Sequence, residues 1–285
     1  MTAPAFKGTS SRIALVVHPE REQARELALV ARRWWEDRGH TVLHEQSADE
    51  LSASIDELDK IDLAVSLGGD GTMLRTVQIG VQLGAIVLGV NLGSLGYLTQ
   101  VEPSGMLKAF ERLNVGDYEI EERMILDVTV THGNQITTLT GLNEAVVEKI
   151  SPGHTIRVQS HIGGRPFLSY AADGILVATP TGSTAYNLSL RGPIVSPRMR
   201  CLILTPISPH MLFDRSVVLD PVESVVLEVL SDRPAALAVD GSRVIDLQPG
   251  DSMLLGAGVN PAHIVSLGAS DFYGVLRAKF GLTDR

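Results

Sequence analysis

The chain changes texture near Met124, and this change constrains the fold more than any other feature of the sequence. Before it, short apolar runs alternate with longer amphipathic stretches. The run Ile13-Ala14-Leu15-Val16-Val17 is followed by helical spacing from about residue 20 to residue 38, then by Thr41-Val42-Leu43. A short helical stretch is expected around Leu51 to Leu58, and strands near residues 63–67 and 85–90 bracket a further helix. That is βαβ alternation. Right-handed crossovers then give a parallel sheet covered by helices, with ligands outside the C-terminal ends of the strands.

After Met124 the runs are short and alternating, at residues 126–131, 137–147, 155–160, 217–230 and 235–239. Turn residues separate them, among them His132-Gly133-Asn134, Ile162-Gly163-Gly164 and Ser231-Asp232-Arg233-Pro234. Short strands with turn residues between them indicate an antiparallel, β-rich domain. Residues 271–280 have helical spacing again and are expected to pack back on the first domain. The fold class is therefore α/β plus β: an α/β domain over residues 1–123, a β-rich domain over 124–265, and a C-terminal segment over 266–285. A chain of 285 residues is long enough for two such cores.

A net charge of −9 argues against nucleic acid or an anionic membrane as partner. It leaves a nucleotide substrate open, because backbone amides and helix N-termini hold phosphates without a basic surface. No apolar run of membrane-spanning length occurs, and residues 1–7 lack a signal-peptide core, so a cytoplasmic protein is expected. Cys201 is the only cysteine, which excludes an intrachain disulfide and a cysteine-based zinc site. The eight histidines show no metal-ligand spacing, and no metal ligand is assigned.

Three segments carry chemistry. Gly68-Gly69-Asp70-Gly71-Thr72 follows a strand and opens a helix. As an ordinary turn, its glycines permit positive φ and Thr72 caps the helix. As a functional turn, the glycines let a phosphate chain approach the backbone, and Asp70 orients a metal ion or takes a proton from an attacking hydroxyl. Neither a Walker A loop nor a Rossmann fingerprint is present. Asn143-Glu144 interrupts an apolar stretch, either as a solvated strand edge or as a buried pair whose hydrogen bonds ribose hydroxyls would satisfy. The tract from Asp173 to Tyr186 runs a buried-strand pattern into a hydroxyl-rich turn. There Asp173 accepts from an amide, Thr181 and Thr184 bond a ring or ribose, and Tyr186 offers a stacking face.

Together these segments resemble the NAD kinase family. It belongs to a wider superfamily that shares the Gly-Gly-Asp-Gly-Thr turn with phosphofructokinases and with diacylglycerol and sphingosine kinases. The choice within that superfamily rests on Asn143-Glu144 and on Asp173-Gly174 through Thr179-Pro180-Thr181-Gly182-Ser183-Thr184-Ala185-Tyr186. Further matches are Gly93-Ser94-Leu95-Gly96-Tyr97, Pro206-Ile207-Ser208-Pro209-His210, Val239-Asp240-Gly241, and Phe272-Tyr273 with Leu276, Lys279 and Phe280.

The resemblance implies phosphorylation of the adenosine-ribose 2′-hydroxyl of NAD by ATP or inorganic polyphosphate, giving NADP, with a divalent cation such as Mg2+. It implies Asp70 as the catalytic base and Gly69, Gly71 and Thr72 near the phosphates. Asn143 and Glu144 would hold the ribose and adenine, and Asp173 would meet the nicotinamide amide. Tyr97, Thr181, Thr184, Ala185, Tyr186 and Ser189 would complete the nucleotide pocket. A homodimer or homotetramer is implied as well. The alternatives are a lipid or sugar kinase sharing only the turn, and a non-catalytic NADP-sensing paralogue. Two positions depart from the family habit: Ala171, where several bacterial members carry Arg or another polar residue, and Arg191, where a small residue is usual. Arg191 is either a solvated surface residue or a contact to a phosphate of substrate or product.

Overall fold

The computed structural model describes residues 5–46, 60–94, 96–230, 233–268 and 272–282. The helical stretch expected around Leu51 to Leu58 lies outside them. The chain divides into two compact units, one of Met1–Glu122 with Ala262–Arg285 and one of Arg123–Pro261.

The first unit is built on a six-stranded sheet in the order Thr41–Gln46, Arg12–Val17, Leu63–Gly68, Ile86–Asn91, Ala262–Ser266 and Glu119–Arg123. The first five of these pair in parallel, as the alternating pattern predicts for the four that precede Met124; the fifth, Ala262–Ser266, comes from the segment read as part of the β-rich domain and joins this sheet instead. Every residue of Leu63–Gly68 is buried, which is why that strand reads as an unbroken apolar run. Helix Glu22–Glu36 buries Ala24, Ala28, Ala31 and Trp35, a single stripe at helical spacing. Its small residues permit close approach to the sheet, and Trp35 at the end of the stripe packs on Phe6 and Phe110. Helix Met106–Val115 buries Met106, Ala109, Phe110 and Leu113 by the same logic and ends at Gly116 in the left-handed conformation.

The second unit has two six-stranded sheets. One runs Arg165–Ala172, Ile156–Ile162, Val225–Val229, Ser252–Ala257, Leu126–His132, Gln135–Gly141. The other runs Val217–Leu219, Leu202–Ile207, Gly174–Ala178, Glu144–Lys149, Ala235–Val239, Ser242–Leu247. The pairings in both are antiparallel, as expected. Val128, Val130, Leu227 and Leu255 of the first sheet share one core with Val147, Ile175, Val177 and Leu204 of the second. The second sheet is covered on its other face too, where Val146, Leu176, Ala178 and Ile203 pack with Val195 and the buried Cys201.

Two of the expected strand runs are broken. Residues 137–147 form the ends of two strands, Gln135–Gly141 and Glu144–Lys149, that belong to different sheets. Residues 217–230 divide into Val217–Leu219 and Val225–Val229 around a turn in which the Asp220 carboxylate accepts the N–H of Val222 at 3.0 Å. In both places an aspartate carboxylate captures backbone N–H groups, Asp240 those of Leu142 and Asn143 and Asp220 that of Val222.

Candidate active site

In the first unit, strand Leu63–Gly68 stops at the turn, and helix Asp70–Leu83 begins after Gly69 as N-cap. The glycines are not there for positive φ, since none of Gly68, Gly69 and Gly71 adopts it. Gly68 is required by packing: a Cβ there would lie 2.2 Å from the Thr72 hydroxyl oxygen. Thr72 accordingly sits within the first helical turn and does not cap it, and the N-cap has no side-chain hydrogen bond. A Cβ on Gly69 or Gly71 would meet nothing within 4 Å. Open space over those two residues leaves the helix N-terminus, with its unpaired N–H groups and partial positive charge, accessible to phosphate oxygens.

Asp70 is the first residue of that helix, and its carboxylate seats the following loop. One oxygen accepts the Tyr97 N–H at 2.9 Å; the other accepts the Leu98 N–H at 3.2 Å and the Thr99 hydroxyl at 3.4 Å. Gly96 has no room for a side chain, because a Cβ would lie 2.2 Å from Asp70 Oδ1. Asn91 shapes the start of the loop, accepting the Gly93 N–H at 3.0 Å and donating to the Ser94 carbonyl at 3.2 Å. Arg21 donates to the Leu92 carbonyl. Tyr97 packs on the C-terminal helix Phe272–Phe280, with Phe272 at 6.2 Å between ring centroids and the Lys279 ammonium 4.6 Å from the Tyr97 ring. Burial, and then the Asp70 charge, push the Tyr97 phenol above its usual range. The turn thus brings Gly69, Asp70, Gly71 and Thr72 together, and Asp70 draws the backbone of Tyr97 beside them.

In the second unit, Glu144 is 6% exposed at the start of strand Glu144–Lys149 and pairs across the ladder with Ala178. The chain after Ala178 turns through Thr181–Thr184 into the one-turn helix Tyr186–Ser189, and the Tyr186 N–H donates to the Glu144 carboxylate. Gly182 packs on the Asn143 backbone so closely that a Cβ would lie 2.1 Å from the Asn143 carbonyl oxygen. Asn143, Glu144, Thr181, Thr184, Ala185 and Tyr186 therefore form one cluster. Ser189 shares the Tyr186 face of the short helix, one turn on, and is exposed.

Most hydroxyls of the tract are spent on holding this turn. Thr179 donates to the Leu142 carbonyl at 2.6 Å, Ser183 to the Val195 carbonyl at 3.1 Å, and Thr184 to the Thr181 carbonyl at 3.3 Å. Buried Asn187 ties the segment further, donating to the Ser183 and Pro193 carbonyls and accepting from Thr205. The Thr181 hydroxyl oxygen and one Glu144 carboxylate oxygen are buried with no partner among the described residues. Leaving such groups unpaired is costly. Burial first, and the nearby Asp240 carboxylate second, push the Glu144 carboxyl up to about 8.

Asp173 lies at the other end of the same strand pair, beside Glu148 and Lys149. Its carboxylate is held by the Lys149 ammonium at 2.6 Å, a partner that sequence reading did not find. The Tyr186 phenol feels both ends: burial, then the charges of Glu148, Asp173 and Glu144, raise it above its usual range. Sequence reading also passed over the role of Asp240, whose carboxylate accepts the N–H groups of Leu142 and Asn143 at 2.8 and 2.7 Å. The signals available were an Asp-Gly pair between two apolar runs and the place of Val239-Asp240-Gly241 in the family resemblance.

A phosphate-accessible helix start in one unit and a buried, hydroxyl-seeking acid in a β-rich second unit define a nucleotide-handling protein. The chain matches the ATP-NAD kinase N-terminal domain over residues 13–118 and the ATP-NAD kinase C-terminal domain over residues 142–267. It is 37% identical to NAD kinase 1 of Streptomyces avermitilis, over 97% of this chain and 88% of that one. It is 43% identical to the NAD kinase of Heliobacterium modesticaldum, over 79% and 80% of the two chains. Among solved structures it shares the fold of yeast NADH kinase complexed with NADH, with a TM-score of 0.83 at 22% identity, over 98% of this chain and 90% of that one. The NAD kinase of Archaeoglobus fulgidus in complex with ATP superposes with a TM-score of 0.72 at 24% identity, over 94% and 99%. The chain belongs to the ATP-NAD kinase family.

Proposed function

We propose that this protein is an NAD kinase that transfers a phosphoryl group from ATP, or from inorganic polyphosphate, to the adenosine-ribose 2′-hydroxyl of NAD. Both family domains and curated NAD kinases across nearly the whole chain support the activity. The observation that carries the assignment of the NAD site is Glu144, a buried carboxyl group with one oxygen lacking a hydrogen-bond partner among the described residues. Vicinal ribose hydroxyls, which donate and accept, supply such partners. Asn143 and Glu144 hold the adenosine, Thr181, Thr184, Ala185, Tyr186 and Ser189 line its pocket, and Asp173 accepts from the nicotinamide amide while Lys149 keeps it oriented.

The donor's phosphates lie over Gly69 and Gly71 at the helix start with Thr72, and Tyr97 borders them. Asp70 takes the proton of the attacking 2′-hydroxyl on an oxygen already oriented by backbone N–H groups. A divalent cation would arrive on the donor's phosphates, since Mg2+ commonly keeps its waters and takes few protein ligands. Such a cation neutralises charge on the transferring phosphoryl group. The first unit serves the phosphate donor, the second unit, Arg123–Pro261, binds NAD, and the C-terminal helix braces the donor side through Tyr97. The protein acts in the cytoplasm as a homodimer or homotetramer. A coupled assay of NADP formation, with ATP and polyphosphate as alternative donors and with and without divalent cation, tests the reading. Absence of NADP with either donor overturns it.

A further inference from the structure

We infer that Asp240 is a positioning residue for the NAD site, holding the backbone of Leu142, Asn143 and Glu144 so that Glu144 presents its carboxylate to the nucleoside. The inference rests on the reading of Glu144 as a nucleoside ligand. Asp240 and Gly241 occupy the two-residue loop between strands Ala235–Val239 and Ser242–Leu247, both at positive φ, 48° and 77°. That is the hairpin turn for which Asp-Gly and Asn-Gly are about equally suited. The turn alone therefore gives no reason for a charge.

The charge is used elsewhere. Asp240 Oδ2 accepts the N–H of Leu142 at 2.8 Å, and Oδ1 accepts those of Asn143 at 2.7 Å and Glu144 at 3.3 Å. The Asp240 N–H in turn donates to the Glu144 carbonyl at 3.0 Å. Gly141 leaves room for this clamp, since a Cβ there would lie 3.2 Å from Asp240 Oδ1. Three successive amides captured by one carboxylate take residues 142 and 143 out of the ladder, and the chain passes between sheets at this point.

The clamp has an electrostatic side. Asp240 repels the Glu144 carboxylate, while the Tyr186 N–H stabilises it. Glu148 and Asp173 face the same Tyr186 phenol that Glu144 faces, and Asp173 is paired with Lys149. With burial acting in the same direction as Asp240, the free protein keeps a proton on Glu144 at neutral pH. The ionised form is the one that accepts two hydroxyls, so capture of NAD requires that proton to leave. Asp240 thus sets the direction of the Glu144 carboxylate and, after burial, adds to the rise in the pH at which it becomes an acceptor.

The test is the pH profile of kcat/KM for NAD, which reports ionisations of the free enzyme. In the unaltered protein it rises with pH through about 8. Glu144→Gln loses this rise; if the rise persists, the pocket reading fails. With that control passed, Asp240→Asn and Asp240→Gly, both compatible with positive φ, move the midpoint down by about one unit. They also raise KM for NAD about tenfold while kcat stays within about threefold. Folded variants that keep the original midpoint and KM overturn the inference. If neither variant folds, the carboxylate is a determinant of the fold and not a positioning device, which overturns it equally.

Discussion

The two acids on which the proposed function rests are kept in opposite ways. Asp70 stands at a helix start with its oxygens met by the Tyr97 and Leu98 N–H groups and the Thr99 hydroxyl, in a turn with open space over its glycines. Glu144 is buried beside another carboxylate, with one oxygen left unpaired. A carboxylate surrounded by fixed donors is ready to act without rearrangement. One that is buried and unpaired is incomplete until a ligand supplies the missing donors. In the proposed function this contrast corresponds to reaction in the first unit and recognition in the second.

The largest effect expected from this contrast is on turnover. Asp70→Asn should lower kcat by about 10²–10⁴-fold, the usual contribution of a general base, with little change in the dissociation constant for NAD. Steady-state kinetics beside calorimetry would measure both, and weakened NAD binding with unchanged kcat would reverse the assignment.

Next comes a pH dependence of stability that only the buried acid provides. The folded value for Glu144, about 8, lies above its ordinary 4.5. Between those values the native state holds a proton that the unfolded chain releases, so stability is greatest at the acid end and falls as pH rises towards 8. The loss should amount to a few kcal/mol. Thermal unfolding of Glu144→Gln should lack this component across the same window, and an equal slope in both proteins would refute the burial argument.

Smaller again is the cost of removing the recognition groups themselves. Asn143→Ala and Glu144→Ala should each weaken kcat/KM for NAD by about 1.5–3 kcal/mol, the range for hydrogen bonds to charged groups. Values at the unaltered level would make the pair purely structural.

The smallest effect concerns Arg191, which is exposed and holds φ at 61°. Its N–H donates to the Leu188 carbonyl as the chain leaves the short helix. A left-handed conformation suits glycine and costs other residues about 1–2 kcal/mol, which accounts for the small residue usual in the family. Arg191→Gly should therefore stabilise the fold by up to about 1 kcal/mol. If Arg191 is kept for a phosphate, the same variant binds NADP more weakly with a shallower salt dependence, and unchanged affinity would leave the strain without a functional return.

What was legible in the sequence depended on how local its cause was. Strand Gly174–Ala178 showed as an apolar run because its sheet is covered on both faces, and Asn143-Glu144 stood out because polar residues interrupted such a run. The break at Leu142-Asn143 was invisible, since its cause, Asp240, is 97 residues away from Asn143. For the Gly-Gly-Asp-Gly-Thr turn the sequence left two readings, and the ordinary one, positive φ with a Thr72 cap, fails because Thr72 packing against Gly68 decides the first glycine while Gly69 and Gly71 stand in open space. The number of hydroxyls in the tract after Asp173 suggested a ligand shell, yet only coordinates could show that Thr179, Ser183 and Thr184 bond the chain and that Thr181 is left over.

The pairing of Ala262–Ser266 with Ile86–Asn91 has a consequence for the order of assembly. During synthesis the ribosome delivers the β-rich unit as one continuous stretch, whereas the sheet that begins with Arg12–Val17 lacks one of its interior strands until residue 262 emerges. The segment made first is thus completed last, and a nascent chain stalled before that point would expose the flank of Ile86–Asn91 to chaperones or to other unfinished copies.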